Sequence, residues 1–397
     1  MTSPPGDTRP RPRRRRFFPK SVARVLRYLS IYGLRRTLYK IAGRRRGSLR
    51  WLRPRPARRR DIAVLGCGQY AFATIGCIVA RHAGNRFVDC YDPDGEAQAT
   101  FADFYGIPEP SGSAAAVIAN PSVQLLYVAS NHASHTDYAI EALALGKDVY
   151  CEKPISVSMD QARRLFRAVR EARSRFDVGY NRPFSRAVRD LREASRHAVG
   201  PVTLGCFVVG HFLPDDHWYR RPGEGTRICG NVGHWIDLAV HVLRWSSRPD
   251  EFHITLAWSD DRARDDNLSI TLTTPRGDLV TIVLTARAEP FEGIRESIHF
   301  QQGEVLAEID DFRAMVIRDG DGLVRRRYWP KDVGHVAAIT QPFRPPSRDW
   351  TEVELSTLLM LRIAAMVRGG ERESKFISGH AIESVYDDRT SESELTS

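Results

Sequence analysis

Asp61-Ile-Ala-Val-Leu-Gly-Cys-Gly-Gln-Tyr-Ala71 decides the fold. Four apolar residues run into Gly66-x-Gly68-x-x-Ala71, and a helical pattern continues through Ile75, Ile78 and Val79. In a strand, turn and helix of this kind the first glycine permits the tight turn and the second lets a pyrophosphate approach the backbone. A small third residue allows close helix packing. The unpaired N–H groups of the helix start then face the phosphates. Alone the motif is weak. Here Phe87-Val-Asp-Cys-Tyr-Asp92 ends a second apolar run in an acid 24 residues after Gly68, near the usual spacing of about 20. Asp92 is expected to accept from ribose hydroxyls and to repel a 2′-phosphate, which favours NAD over NADP. The plain alternative is a turn and cap at Asp92-Pro-Asp-Gly95.

Outward from this unit, strands alternate with helices. Helical patterns over 96–105, 134–145 and 159–173 separate apolar runs over 124–129, 149–151 and 176–180. Such alternation implies an α/β, doubly wound parallel sheet with right-handed crossovers. Val149-Tyr-Cys-Glu-Lys-Pro154 puts an ammonium at a strand's carboxyl end, where open parallel sheets bind their ligands. Pro154 biases Lys153 away from helix and fixes the corner. Lys153 is therefore the first catalytic candidate, the bland reading being a strand-end turn. Glu152, Gln69 and Tyr70 are expected beside the cofactor.

The net charge of +11 hides two bodies. Residues 1–60 hold 21 Lys+Arg and one acid, which leaves 38 basic and 47 acidic residues beyond them. Residues 11–16 read as a disordered arginine-rich arm. Over 17–45, Phe17, Phe18, Val22, Val25, Leu26, Leu29, Leu34, Leu38 and Ile41 recur at three- and four-residue spacing between arginines, a basic amphipathic pattern broken near Gly33. Three readings stand: packing on the body or a second subunit, peripheral contact with an anionic membrane, and, least favoured, nucleic acid. No secretory signal or membrane span is expected. The six scattered cysteines lack a Cys-x-x-Cys pair and read as free thiols of a cytoplasmic protein, peripheral at the inner membrane face on the second reading.

Taken in order, 129–135 (Ala-Ser-Asn-His-Ala-Ser-His), 139–147 (Ala-Ile-Glu-Ala-Leu-Ala-Leu-Gly-Lys), Glu152-Lys-Pro154 and 179–184 (Gly-Tyr-Asn-Arg-Pro-Phe) resemble the Gfo/Idh/MocA oxidoreductases (glucose-fructose oxidoreductase, inositol dehydrogenase, rhizopine catabolism). The resemblance runs from residue 61 into the 240s. It implies that Lys153 is the catalytic lysine, that Ser130, Asn131, His132 and His135 line the nicotinamide side of the cofactor site, and that Arg182 lies on the cofactor. Read alone, His132 and His135 could be ordinary loop histidines; a metal pair lacks a third ligand nearby, and no metal is expected.

Beyond residue 181 an α+β second domain is expected, reaching 390 and carrying a mostly antiparallel sheet over 252–317, alternating too little to be wet on one face throughout. Two helical patterns, 351–368 and 378–388, close it. A loop after the strand at 201–209 offers Asp215, Asp216, His217, Trp218, Arg220 and Arg227 for a polar, hydroxylated or phosphorylated ligand, with Asn231 beyond; a surface loop is the alternative. His234, Asp237 and His241 share one helix face. The resemblance makes His234 the substrate-facing histidine, with Asp237 orienting it or its helix. Many relatives carry an aspartate four residues before this histidine, where this chain has Gly230. The resemblance also implies homo-oligomers through the second sheet.

These readings converge on NAD-dependent hydride transfer at a secondary hydroxyl or ketone of a sugar or nucleotide-sugar, in surface polysaccharide precursor metabolism. An NAD-using glycoside hydrolase or lyase without net redox change, and a non-catalytic dinucleotide-binding protein at the membrane, are the alternatives.

Overall fold

The computed structural model describes residues 20–45, 49–287, 293–346 and 348–387. The arginine-rich arm at 11–16, Phe17, Phe18 and the carboxyl-terminal tail lie outside them.

A long basic helix, α1 (Lys20–Arg44), opens the described chain, bent at Gly33 (φ 78°). The first sheet is built from β1 (Ile62–Leu65), β2 (Phe87–Tyr91), β3 (Leu125–Val128), β4 (Asp148–Cys151) and β5 (Phe176–Val178), all parallel, in the order β2-β1-β3-β4-β5. Its strands are short apolar runs because both faces are covered; β1 and β3 are buried at every residue. A π-helical turn, Ala71–Gly76, leads into α2 (Cys77–His82). Helices α3 (Gly95–Tyr105), α4 (Ala114–Ala119), α5 (His132–Ala144) and α6 (Met159–Glu171) follow. Their starts are read directly from the sequence: Asp94, Ser113 and Ser158 accept the first N–H groups of α3, α4 and α6. Strand order reverses between β1 and β3, so the ligand crevice opens where Gly66 and Ala129 end those strands.

The second sheet has nine strands: β6 (Val202–Val209), β7 (Glu251–Trp258), β8 (Asn267–Thr273), β9 (Leu279–Thr285), β10 (Arg295–Gln302), β11 (Val305–Asp310), β12 (Ala314–Asp319), β13 (Gly322–Arg327) and β14 (Glu373–Ile377). Their order is β13-β12-β11-β10-β6-β9-β8-β7-β14, antiparallel except for β6 beside β9. Alternation is regular in the folded sheet: β6 and β11 alternate buried with exposed or half-buried residues, so one face packs on the core, while the outward residues of β8 are only half-buried, so the other face is not wet throughout. Strands β13 and β14 have no counterpart in the sequence reading. β13 has no buried residue, so it offers no apolar stripe to recognise.

Helices α7 (Arg186–Ala194), α8 (Gly233–Leu243), α9 (His335–Ile339), α10 (Trp350–Gly369) and α11 (Ser378–Tyr386) complete the fold. α8 is buried at ten of its eleven residues. An almost fully apolar helix of this kind needs a second helix and a sheet around it.

α1 packs on the body, but not through the stripe expected of it. Ile31, Tyr39 and Ala42 are buried, whereas Val22, Val25, Leu26 and Leu34 are exposed. The bend at Gly33 rotates the second half of the helix, so no single 3.6-residue stripe describes both halves. Among the described residues no helix is long and apolar enough to cross a membrane, and all six cysteines are buried and unpaired.

Candidate active site

The turn after β1 is built as its glycines predict. Gly66 has φ 90°, and a Cβ there would stand 2.4 Å from the Ala129 carbonyl oxygen, which excludes any other residue. A Cβ on Gly68 would meet nothing within 4 Å, so a diphosphate has room to lie against that backbone. The carboxylate of Asp92 accepts from the N–H of Cys67 at 2.7 Å and of Asp94 at 2.8 Å, which fixes it at the end of β2 beside the turn. The donor set and the open approach at Gly68 fit a dinucleotide.

At the carboxyl end of the parallel sheet lies a cavity of about 540 Å³, the size of a small-molecule site. Gln69 and Tyr70 line it from the glycine turn, Ser130, His132 and His135 from the end of β3 and start of α5, and Glu152 and Lys153 from the end of β4. His234 lines it from the first turn of α8. Residues 165 positions apart in the chain, Gln69 and His234, thus face one space.

Lys153 Nζ donates to the Gly230 carbonyl at 2.7 Å. Glu152 is buried and accepts from the Tyr150 hydroxyl at 3.0 Å; burial raises its pKa, and the Lys153 charge opposes that rise. His132 Nδ1 stands 3.0 Å from the Glu224 carbonyl oxygen, and Asn131 donates to the Glu224 carboxylate at 2.8 Å. Burial, with the Lys153 charge second, pushes the His132 pKa down to about 2. His135 sits between the carbonyls of Pro154 (2.8 Å) and Ser130 (3.1 Å), and burial lowers its pKa too. These four residues therefore hold the β3 end to its neighbours, and Ser130 and the two histidines also border the cavity.

His234 is buried, and its Nδ1 has no partner. Burial, then the charges of Arg182 and Lys153, hold its pKa well below the usual imidazole value, so the ring is neutral and keeps a basic nitrogen. A neutral, unpartnered imidazole and an ammonium bordering one cavity make an acid/base pair.

Several expected site residues are engaged elsewhere. Asp237 is fully buried and takes two hydrogen bonds from the Arg348 guanidinium, at 2.9 and 3.0 Å, and one from Ser356; it does not line the cavity. Arg182 does line it, but its charge is matched by Glu296 at 3.1 Å, beneath a further bond from Trp235 to Glu296. Arg220 and Arg227 both pair with Asp266, at 2.8 and 2.9 Å, and pin the loop internally. Asp216 is exposed, His217 accepts from the Tyr219 N–H, and Asn231 is buried behind the wall. Asp215 is exposed as well, so of the seven residues offered to the ligand Trp218 is the one that borders the cavity, its ring 4.7 Å from that of His132.

The cavity also has walls that sequence reasoning missed. Tyr28, Tyr32, Arg36 and Lys40 of α1 form one side, and Lys331 and His335 another; Arg36 Nη2 lies 3.4 Å from His335 Nδ1. The Gln69 amide donates to the Lys40 carbonyl at 3.3 Å, tying the glycine turn to α1. No local motif marks His335, nearly 300 residues from Arg36. Among the described residues no group of three or more His, Cys, Asp or Glu could hold a metal ion.

Residues 60–180 match the family model described as oxidoreductase family, NAD-binding Rossmann fold. Inositol 2-dehydrogenase of Ralstonia nicotianae is 29% identical over 195 residues, covering 48% of this chain and 55% of that protein. The same enzyme of Burkholderia vietnamiensis is 32% identical over 192 residues, 47% of this chain and 53% of its own. The chain thus aligns with about half the length of these curated relatives. Among solved structures, aldose-aldose oxidoreductase from Caulobacter crescentus superposes with a TM-score of 0.66 at 20% identity, over 80% of this chain and 100% of that one. Levoglucosan dehydrogenase in complex with NADH and levoglucosan gives 0.66 at 14% identity, over 80% and 99%. These likenesses establish the fold.

Proposed function

Because residues 60–180 belong to the Gfo/Idh/MocA oxidoreductase family, we propose that the whole chain is an NAD-dependent dehydrogenase acting on a secondary alcohol of a sugar-like polyol or nucleotide-sugar. The observation that carries this is the meeting of Lys153 and His234 in one cavity at the carboxyl end of the parallel sheet. NAD, held against Gly66, Gly68 and Asp92, supplies the hydride acceptor. Asp92 supports NAD over NADP, since a carboxylate fixed at the end of β2 opposes a 2′-phosphate.

The chain's own residues do the rest. His234, neutral and with a free nitrogen, takes the hydroxyl proton, and Lys153 donates to the oxygen as charge develops on it. Lys153 releases the Gly230 carbonyl, or shares its remaining N–H groups, to do so; an ammonium has three. Trp218 and Tyr219 offer flat apolar surface to a sugar ring.

Exposed Phe207, Leu279, Leu306 and Leu323 on β6, β9, β11 and β13 support association of two copies through the open face of the second sheet. Light scattering on the purified chain tests that point, and a monomer at all concentrations refutes it.

The test of function is NADH formation with a panel of inositols, sugars and nucleotide-sugars. Lys153→Ala and His234→Ala should each lower turnover by about two orders of magnitude or more, with little change in NAD affinity. Unchanged turnover removes that residue from the chemistry.

A further inference from the structure

We propose that a second cavity, adjoining the one bordered by Lys153 and His234 across Tyr32, Arg36, Ala73, Thr74 and Lys331, binds a ligand bearing a phosphate group. It lies between the bend of α1, the end of α2, the start of α7 and the segment before α9, and measures about 560 Å³. Six arginines and Lys331 line it, against one carboxylate, Asp332. That acid is taken by Arg186 at 2.9 Å, and Lys331 is paired with Asp311 at 2.7 Å. Among the described residues no carboxylate stands within ion-pair distance of Arg35, Arg81, Arg189 or Arg344.

An ordinary solvated face of this protein looks different. On α6, Arg164 is answered by Asp137 at 2.6 Å and Asp160 at 2.9 Å. Four unanswered guanidinium groups around one concavity repel each other within a Debye length, and the field they create gathers anions. The positive field is already felt by His82 on the wall, whose pKa is lowered by burial first and by Arg81, Arg344 and Arg35 next. Planar guanidinium forks match the oxygens of phosphate better than any other side chain does. The rim adds exposed apolar surface, Leu34, Trp329 and Val336, which an alkyl chain could cover. A phosphate in this place comes from an anionic lipid headgroup or from a soluble phosphorylated molecule.

The test uses the full chain, Arg81→Glu/Arg189→Glu and Trp329→Ala, none of which touches the first cavity. Two probes are compared: vesicles of phosphatidylcholine with and without phosphatidylglycerol, by co-sedimentation, and inorganic pyrophosphate, by calorimetry. Binding of either probe that falls about thirtyfold in the arginine double variant, with NAD binding unchanged, supports the site. If phosphatidylglycerol vesicles are the probe bound and Trp329→Ala weakens it further, the source is lipid. If pyrophosphate is bound and Trp329→Ala has no effect, the source is soluble. Binding of neither probe, or equal binding by the double variant, overturns the proposal.

Discussion

The Lys153 ammonium and the Gly230 carbonyl are joined by a hydrogen bond of 2.7 Å, which ties the end of β4 to the turn entering α8. Crowding at that turn, and not the bond, explains why glycine stands at 230. A Cβ there would lie 2.5 Å from the Tyr219 ring and 2.9 Å from His132 Cε1. Gly230→Asp, which introduces the aspartate that the family resemblance led one to expect there, should therefore not improve catalysis. It displaces Tyr219 and His132 and lowers kcat/KM by about a hundredfold, the usual result of moving a site by an ångström. Steady-state kinetics decide, and a gain in kcat would refute the steric account.

Asp237 is predicted to serve stability rather than turnover. Asp237→Asn leaves the Arg348 guanidinium buried with Glu352 as its remaining acid, and breaking a buried pair costs about 3–5 kcal/mol. Denaturant unfolding should show that loss, while kcat of the folded fraction stays within about twofold of the parent. A large fall in kcat at full stability would return Asp237 to the chemistry.

Stability should fall in mild acid. His132, His234 and His335 have pKa values lowered from 6.5, by burial first and by neighbouring cations second. Below about pH 6.5 the unfolded chain takes up a proton on each and the folded chain does not, so protons favour unfolding. The contribution is complete above that pH and is lost at about 1.4 kcal/mol per histidine for each unit below it. Urea midpoints measured from about pH 7.5 down to about 5.5 should decline, and less steeply in His335→Gln. A flat profile would refute neutral burial.

Removal of residues 1–48 should open the first cavity. It strips Tyr28, Tyr32, Arg36 and Lys40 from the wall and exposes what Ile31 and Tyr39 cover. Tm should drop by several degrees and the substrate KM should rise at least tenfold. Unchanged KM would show that α1 does no more than pack.

How much of this was legible beforehand differs element by element. Gly66, Gly68, Asp92 and Lys153 were readable because each acts through its own stretch of backbone: a positive φ, an open approach, a strand end, a proline-fixed corner. His234 was singled out through resemblance alone, and its unpartnered Nδ1 is visible only in the folded chain. Arg182, Arg220 and Arg227 looked like ligand-facing charges and Asp237 like the group that orients His234 or its helix, yet each has a distant acid or arginine as its partner, and partners of that kind leave no trace in local spacing. Arg36 and His335 carried no signal.

The sequence by itself determined the parallel sheet and its glycine turn, since hydrophobic period, turn geometry and caps are local properties of the chain. Only the tertiary structure decided which charges remain available to a ligand, because an ion pair depends on separations through space. It alone brought the amino-terminal helix to the wall of the site, since the bend at Gly33 turns that helix onto a surface made by residues up to 300 positions away.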